Sequence, residues 1–168
     1  MNPFRRSNPS APRSGERGFS LVELMVSIAL MSIMFLVGLP AMNRYLKTNR
    51  LLAASANLAG ELRLARQRAV SEENNVVFSW NLTDDKYRWL DDDDNDGSAD
   101  TGEYVSEWRQ LPDGIDLDAG ATPLAGTSVT FLSSGSASQG GQLTVTNEEG
   151  LERTIQLVQV SGLVKVLS

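Results

Sequence analysis

One long apolar segment constrains this chain more than any other feature. Residues 19–39 read FSLVELMVSIALMSIMFLVGL and contain a single charged side chain, that of Glu23. As a helix, this segment would be about 31 Å long, close to the thickness of the hydrocarbon core of a bilayer. The sequence therefore predicts a membrane-spanning helix near the N-terminus.

Charge divides the chain into three pieces around this segment. Residues 1–18 carry four arginines and one glutamate, residues 19–73 carry six basic and four acidic side chains, and residues 74–168 carry five basic and sixteen acidic ones. Residues 1–18 also contain three prolines and few apolar residues, which is typical of a targeting leader that does not pack into a core. By the positive-inside rule, the basic leader stays in the cytoplasm and the acidic body is exported.

The composition disfavours an enzyme. The chain has no cysteine and no histidine, which excludes disulfides, Cys/His zinc sites and Ser/His or Cys/His nucleophile pairs. Carboxylates are plentiful, but nothing in the sequence places one in an apolar pocket. We therefore predict a protein that is not an enzyme and requires no cofactor.

The apolar segment has three interpretations: a cleaved secretory signal, a plain membrane anchor, or a helix whose N-terminus is created by cleavage after Gly18. The lone carboxylate of Glu23 helps to distinguish them. A cleaved secretory signal would need small residues after the apolar run, and GLPAMNRY fits this requirement poorly. A plain membrane anchor leaves Glu23 unexplained, because a carboxylate near the start of an apolar helix costs about 1–3 kcal/mol and calls for a partner. Cleavage after Gly18 would create an amine on Phe19, one helical turn from Glu23, and that amine is a suitable cation.

Residues 18–23, GFSLVE, resemble the type III signal of the type IV pilin superfamily. The shared features are a basic leader that ends in Gly18, an aromatic Phe19, Glu23 as fifth residue of the mature chain, an uninterrupted apolar helix and Pro40. The resemblance implies that a prepilin peptidase cuts between Gly18 and Phe19 and methylates the amine of Phe19. It also implies that Glu23 neutralises the amine of a neighbouring subunit during filament assembly. A leader of 18 residues is longer than many pilin leaders.

The helical pattern continues beyond the apolar segment. Apolar residues recur at spacings near 3.5, as expected for a core-facing helix stripe; they are Leu51, Leu58, Leu62, Ala65 and Ala69. We predict one helix from about residue 19 to 71, with a transmembrane and filament-core part at 19–40 and an amphipathic part at 41–73. Pro40 removes a backbone donor and should bend this helix.

The remaining residues, 74–168, are predicted to form a periplasmic β-rich domain. Short alternating segments separated by polar turns predict strands; they are residues 75–80, 86–90, 104–109, 128–132, 142–146, 154–160 and 163–167. The predicted fold class is α+β, in which the C-terminal half of the long helix packs on an antiparallel β-sheet domain. The resemblance implies the lollipop shape of a pilin.

Four further segments resemble the GspH/FimT branch of minor pseudopilins and minor pilins. They are residues 63–66 (RLAR), 108–114 (WRQLPDG), 131–135 (FLSSG) and 162–166 (GLVKV). The resemblance implies a structural minor subunit of a type II secretion pseudopilus, held in the bacterial inner membrane by a single span and later drawn into a periplasmic filament. The implied partners are prepilin peptidase, other pseudopilins or pilins, the inner-membrane assembly platform and membrane lipid.

A minor pilin of a type IV pilus is the alternative, with a role in assembly priming or DNA uptake. Some relatives in this branch capture DNA through a C-terminal Gly-Arg-any-Arg motif. The corresponding residues 162–165 read GLVK and lack both arginines. Because the acidic body also repels phosphates, the sequence disfavours nucleic acid as a partner.

An acidic segment, residues 91–103, carries the most specific local pattern. Oxygen-bearing side chains and one glycine occur at positions 1, 3, 5, 6, 7, 9 and 12 of a calcium loop; they are Asp92, Asp94, Asp96, Gly97, Ser98, Asp100 and Glu103. The segment lies between two predicted strands rather than two helices, and Ala99 stands where a larger apolar residue is usual. Calcium is therefore a candidate ligand, a solvated acidic hairpin is the alternative, and a membrane-anchored calcium-binding module is a third functional hypothesis.

Overall fold

The computed structural model describes residues 18–97 and 99–167. The leader up to Arg17, and Ser98 of the acidic segment, lie outside the described residues. Helix α1 (Leu21–Ser71) comes first and includes Pro40. The chain separates into two compact units, of which the first ends at Ala41 and the second begins at Met42.

The part of α1 in the second unit buries one face. The predicted stripe is confirmed as core, because each of its members is at most 2% exposed; they are Leu51, Leu58, Leu62, Ala65 and Ala69. Ala54 and Ala59 extend the same face, and they are likewise buried. Spacings of three and four residues place these side chains on one side of the helix, where they join the core of the β-strands.

Eight strands follow the helix. They are β1 (Asn75–Asn81), β2 (Lys86–Asp92), β3 (Arg109–Gln110), β4 (Ile115–Ala119), β5 (Ser128–Phe131), β6 (Gly141–Asn147), β7 (Glu152–Val158) and β8 (Leu163–Leu167). Two antiparallel sheets result, one in the order β3-β2-β1-β5 and the other in the order β4-β6-β7-β8.

The predicted α+β class is confirmed: a long N-terminal helix packs on antiparallel β-structure. Phe78 of β1, Phe131 of β5 and Leu143 of β6 are each at most 2% exposed and share one core cluster with the buried face of α1. The strands form two sheets, a division that the sequence did not predict. It arises because β5 returns to pair with β1 across a long stretch of chain, and local alternation does not encode such a pairing.

Two strand predictions are wrong. Residues 104–109 were expected to form a strand, but only a single bridge between Leu90 and Val105 and the short β3 are present. The Ser106 hydroxyl accepts the Trp89 N–H at 3.0 Å, and a side chain thus takes the place of a main-chain ladder partner. Strand β4 was missed because two of its five residues are exposed aspartates, which are depleted in strands, although Ile115 and Leu117 alternate with them and are buried.

Candidate functional sites in the N-terminal segment and the acidic loop

The peptide bond between Gly18 and Phe19 lies outside regular secondary structure. Helix α1 begins two residues after Phe19, and its first described backbone hydrogen bond runs from the Leu24 N–H to the Ser20 carbonyl at 3.1 Å. The Phe19 side chain is 81% exposed. Among the described residues, no atom lies within 4 Å of the place where a Cβ on Gly18 would stand. This peptide bond thus lies in irregular backbone directly before α1.

Glu23 lies in the first turn of α1 and is exposed. A negative side chain in the first turn interacts favourably with the positive end of the helix dipole. The carboxylate is also four positions after Phe19, a spacing that corresponds to about one helical turn. The first turn of α1 thus carries one exposed acid.

The segment after Glu23 is apolar and exposed within this single chain. Large side chains such as Leu21, Met34 and Leu36 are more than 70% exposed. The most apolar 18-residue window of α1 has a mean hydropathy of 2.3 and none of it is buried. By length and composition this helix can cross a membrane, and an apolar surface of this size requires lipid or other helices around it.

The acidic loop comprises residues 93–103. It begins one residue after Asp92, which is the first position of the calcium-like pattern. Asp91 and Asp92 belong to β2 and are buried, with 6% and 1% exposure, although we expected both in the loop. The strand continues to Asp92 because Asn75 and Val76 of β1 pair with these two aspartates. Asp92 consequently stands on a rigid element while the other acids lie on the turn.

Three of the predicted ligands converge. Carboxylate oxygens of Asp92, Asp94 and Asp96 lie within 4.8 Å of one another. Both oxygens of Asp92 accept main-chain hydrogen bonds, from the Asp96 N–H at 3.1 Å and the Gly97 N–H at 3.0 Å. Gly97 has φ of +81°, in the left-handed region that glycine adopts without strain, and this turn folds the chain back over Asp92.

Two further predicted ligands, Asp100 and Glu103, lie on the returning side of the loop. The Glu103 carboxylate accepts the Asp93 N–H and the Asp100 N–H, both at 2.9 Å, and so joins the two ends of the loop. Ser98 lies outside the described residues. The donor set consists of hard carboxylate oxygens, which suits calcium.

The crowded carboxylates affect one another's protonation. Burial raises the pKa of Asp92, and the hydrogen bonds from Gly97 and Asp96 only partly offset it. The negative charges of Asp96 and Asp94 raise the pKa of the exposed Asp100. In both cases ionisation is disfavoured in the folded loop, and a bound cation would relieve this effect.

Two side chains that the sequence reasoning did not single out hold the base of the loop. Asn74 donates to the Asp93 carboxylate at 2.6 Å, and the Arg68 guanidinium lies 3.4 Å from the Asp91 carboxylate and 2.9 Å from that of Glu72. Arg68 also lies over the Trp89 ring, 4.7 Å from its centroid. The only signal in the sequence is the four-residue spacing of Arg68 and Glu72, which is common on helix surfaces.

Comparison with known proteins assigns this arrangement to a class. Residues 13–39 match the prokaryotic N-terminal methylation motif. The fold is similar to that of the minor pseudopilin EpsH from the type 2 secretion system of Vibrio cholerae, with a TM-score of 0.56 and 15% identity over 71% of this chain and 97% of EpsH. It is also similar to the Pseudomonas aeruginosa type IV minor pilin FimU, with a TM-score of 0.57 and 14% identity over 74% of this chain and 92% of FimU. No curated protein sequence matches the chain significantly. The fold and the motif together define a member of the type IV pilin superfamily.

Within that superfamily, residues 54–162 match the family described as type II transport protein GspH. Because this match covers more than half of the chain, the chain belongs to the GspH family. The predicted GspH-type relationship is thereby confirmed. The family and the fold are those of structural subunits. The likeness to FimU is one of fold, and it is compatible with the pilin alternative.

Proposed function

We propose that this chain is a minor subunit of a type II secretion pseudopilus that is processed at its N-terminus and assembled through α1. Prepilin peptidase cuts between Gly18 and Phe19 and methylates the new amine. The apolar first part of α1 holds the precursor in the bacterial inner membrane with the β-rich domain in the periplasm. The observation that carries this proposal is the exposed, irregular Gly18–Phe19 segment directly before an apolar helix with Glu23 in its first turn.

Glu23 supplies the attraction that guides assembly. In the membrane, a carboxylate surrounded by apolar side chains is stabilised by a nearby cation, and the methylated amine of Phe19 of an adjacent subunit provides one. Once α1 packs against neighbouring helices, its apolar surface is shielded from water by those helices instead of by lipid. The pairing of charges then determines which axial offset between subunits is favoured.

Replacement of Glu23 by Ala tests this role. We expect Glu23→Ala to remain in the membrane fraction of the native host, because the span becomes more apolar, but to be lost from sheared filaments. Glu73→Ala is the matched control, since Glu73 is exposed and follows the end of α1. Normal incorporation of Glu23→Ala into filaments would contradict the proposed role.

The minor pilin of a type IV pilus remains the alternative assignment, and the likeness to FimU supports it. Deletion of this chain in its host separates the two assignments. Loss of exoprotein secretion with intact surface pili supports the pseudopilus. Loss of surface pili with normal secretion supports the pilus.

A calcium ion at the acidic loop is a second proposal, favoured by the convergence of Asp92, Asp94 and Asp96. Asp100 and Glu103 would complete the site from the returning side of the loop, with Ser98 at the seventh position of the pattern. The ion would neutralise the mutual repulsion of these acids and hold the loop in one conformation.

Calcium titration by calorimetry tests this proposal on the full chain in uncharged detergent micelles. We expect binding by the unsubstituted chain and none by a variant with Asp92, Asp94 and Asp96 replaced by Asn. The matched control replaces Asp113, Asp116 and Asp118, which are exposed and lie in or just before β4. Equal melting temperatures of the unsubstituted chain with calcium and with chelator would remove the site.

A further inference from the structure

A groove lies between the end of α1 and the outer strand β8. It encloses about 520 Å³, and its walls are formed by Arg63, Arg66 and Val70 of the helix and by Leu163 and Val164 of the strand. Val70 and Leu163 are 45% and 46% exposed. The groove therefore offers apolar surface and two guanidinium groups at the same place.

The two arginines are fixed by main-chain carbonyls rather than by acids. Arg63 donates to the Val164 carbonyl at 3.1 Å, and Arg66 donates to the Gly135 carbonyl at 2.9 Å. Among the described residues, no carboxylate forms an ion pair with either guanidinium, whereas Arg68 on the same helix has two such partners. A guanidinium has five N–H donors, so both arginines keep donors and full charge for a ligand.

One wall of the groove is the free edge of a sheet. β8 pairs with β7 and is the last strand in the order β4-β6-β7-β8. The Val164 carbonyl faces α1, since it accepts from Arg63. In an antiparallel strand both main-chain groups of a residue point to the same side, and this side alternates along the chain. The main-chain groups of Val164, and by alternation of Val166, therefore point away from β7. Because Arg63 already binds the Val164 carbonyl, an added strand would pair with β8 through the main-chain groups of Val166.

We propose that this groove binds an extended acidic segment of a partner protein, which adds as a strand beside β8 and places alternate carboxylates against Arg63 and Arg66. Charge complementarity supports an acidic occupant, because these unpaired arginines stand out on a domain whose residues 74–168 are strongly acidic. The geometry supports a strand: alternate residues of a strand are about 6.7 Å apart, and Arg63 and Arg66 are separated along the helix axis by about 4.5 Å, a difference that their long side chains can span. The inference is independent of processing at Gly18.

Two labelled peptides of equal composition and charge test the proposal by fluorescence anisotropy, with the full chain in uncharged detergent micelles. The first, Thr-Val-Glu-Val-Glu-Val-Thr with blocked ends, presents both acids on one side of a strand. The second, Thr-Val-Val-Glu-Glu-Val-Thr with blocked ends, presents them on opposite sides. We expect the first peptide to bind at least about fivefold more tightly, because only its acids can reach both arginines together.

Variants locate the binding. Arg63→Gln with Arg66→Gln should weaken binding of the first peptide by about tenfold or more, since two charge-assisted contacts are lost. The matched control is Arg44→Gln with Arg50→Gln, two exposed arginines of α1 outside the groove, and it should bind as the unsubstituted chain does. Leu163→Glu is a second test that leaves the helix contacts intact; because Leu163 is half exposed, the domain should fold while the added charge repels the peptide.

Three results would overturn the proposal. Equal affinity for the two peptides would show that the groove attracts acidic peptides without binding them as an added strand. Preferential binding of a labelled DNA oligonucleotide that is lost in the double arginine variant would make the groove a nucleic-acid site. Self-association of the chain that depends on Arg63 and Arg66, with no peptide binding, would make a second copy the occupant.

Discussion

Arg68 and Asp91 connect the last turn of α1 to the strand that leads into the acidic loop. The guanidinium Nε lies 3.4 Å from the Asp91 carboxylate, whose side chain is only 8% exposed. Burial raises the pKa of Asp91, with a further contribution from the nearby Glu72, and the charge of Arg68 counteracts this shift. Arg68 thus stabilises an ionised carboxylate that is otherwise poorly hydrated.

Removal of this guanidinium should destabilise the domain. Arg68→Met keeps the aliphatic stem but loses the ion pairs and the contacts with the Trp89 and Tyr104 rings. We expect a loss of about 1–3 kcal/mol in the free energy of unfolding at pH 7. Urea unfolding of the full chain in detergent, followed by tryptophan fluorescence, measures it.

A double-mutant cycle assigns this loss to the pair. Asp91→Asn removes the buried charge, and the cost of Arg68→Met should therefore be smaller in the Asp91→Asn background. Arg44→Met serves as control for the loss of an exposed arginine from α1. Additive effects of the two substitutions would show that Arg68 acts only through its ring contacts and Glu72.

Gly162 should tolerate no side chain. Its φ is +58°, and a Cβ at this position would lie 2.2 Å from the Gly135 carbonyl oxygen and 2.9 Å from Arg66 Nε. Gly150 is a matched control, because its φ is +76° but a Cβ there would meet no described atom within 4 Å. Gly150→Ala should cost about 1–2 kcal/mol of folding free energy from the left-handed backbone alone.

Gly162→Ala carries the same backbone cost and a steric clash with main chain as well. We expect its loss to exceed that of Gly150→Ala by at least about 1 kcal/mol, measured by the same urea unfolding. Equal losses in the two variants would mean that the turn containing Gly135 moves aside freely. Such a result would also mean that the Gly135 carbonyl does not hold Arg66 in a fixed position.

Repulsion in the acidic loop should make stability depend on pH. Asp96 and Asp94 raise the pKa of Asp100, so the folded state binds this proton more tightly than the unfolded state does. Ionisation of Asp100 therefore disfavours folding; the effect is absent below the ordinary pKa of 3.8 and fully present above the raised folded-state value.

Asp100→Asn should remove this unfavourable contribution to the free energy of folding. In chelator and low salt we expect the melting temperature at pH 7 to rise by about 1 °C, with a smaller gain in 1 M salt and none at pH 3. Asp116→Asn, at an exposed position of β4, is the control. A gain that persists at pH 3 would show that the substitution acts through something other than charge.

Periodicity explains which parts of the fold could be predicted. The α1 stripe and most strands show their periods directly in the sequence, so Leu58 and Leu62 were correctly expected in the core. The division into two sheets depends on which strands pair over long distances, as β5 does with β1, and no local pattern carries that information. The Ser106 hydroxyl that interrupts the ladder beside Trp89 is likewise visible only in three dimensions.

In the candidate sites, too, local features could be predicted and long-range contacts could not. The spacing of Asp92, Asp94 and Asp96 correctly predicted that their carboxylates converge, because a short loop leaves few ways to arrange them. The burial of Asp92 and the anchoring of the loop by Arg68 and Asn74 depend on α1 packing beside β2, which spacing does not reveal. The groove at Arg63 and Arg66 likewise requires α1 and β8 to be placed side by side.

The first residue of the mature protein tests the central claim most directly. Mass spectrometry of the N-terminal peptide, on material purified from the native host, identifies that residue and any methyl group on its amine. We predict a chain that begins with N-methylated Phe19, and an unprocessed chain in a host that lacks prepilin peptidase. A mature chain from the native host that still begins with Met1, or that begins beyond Ala41, would contradict the account.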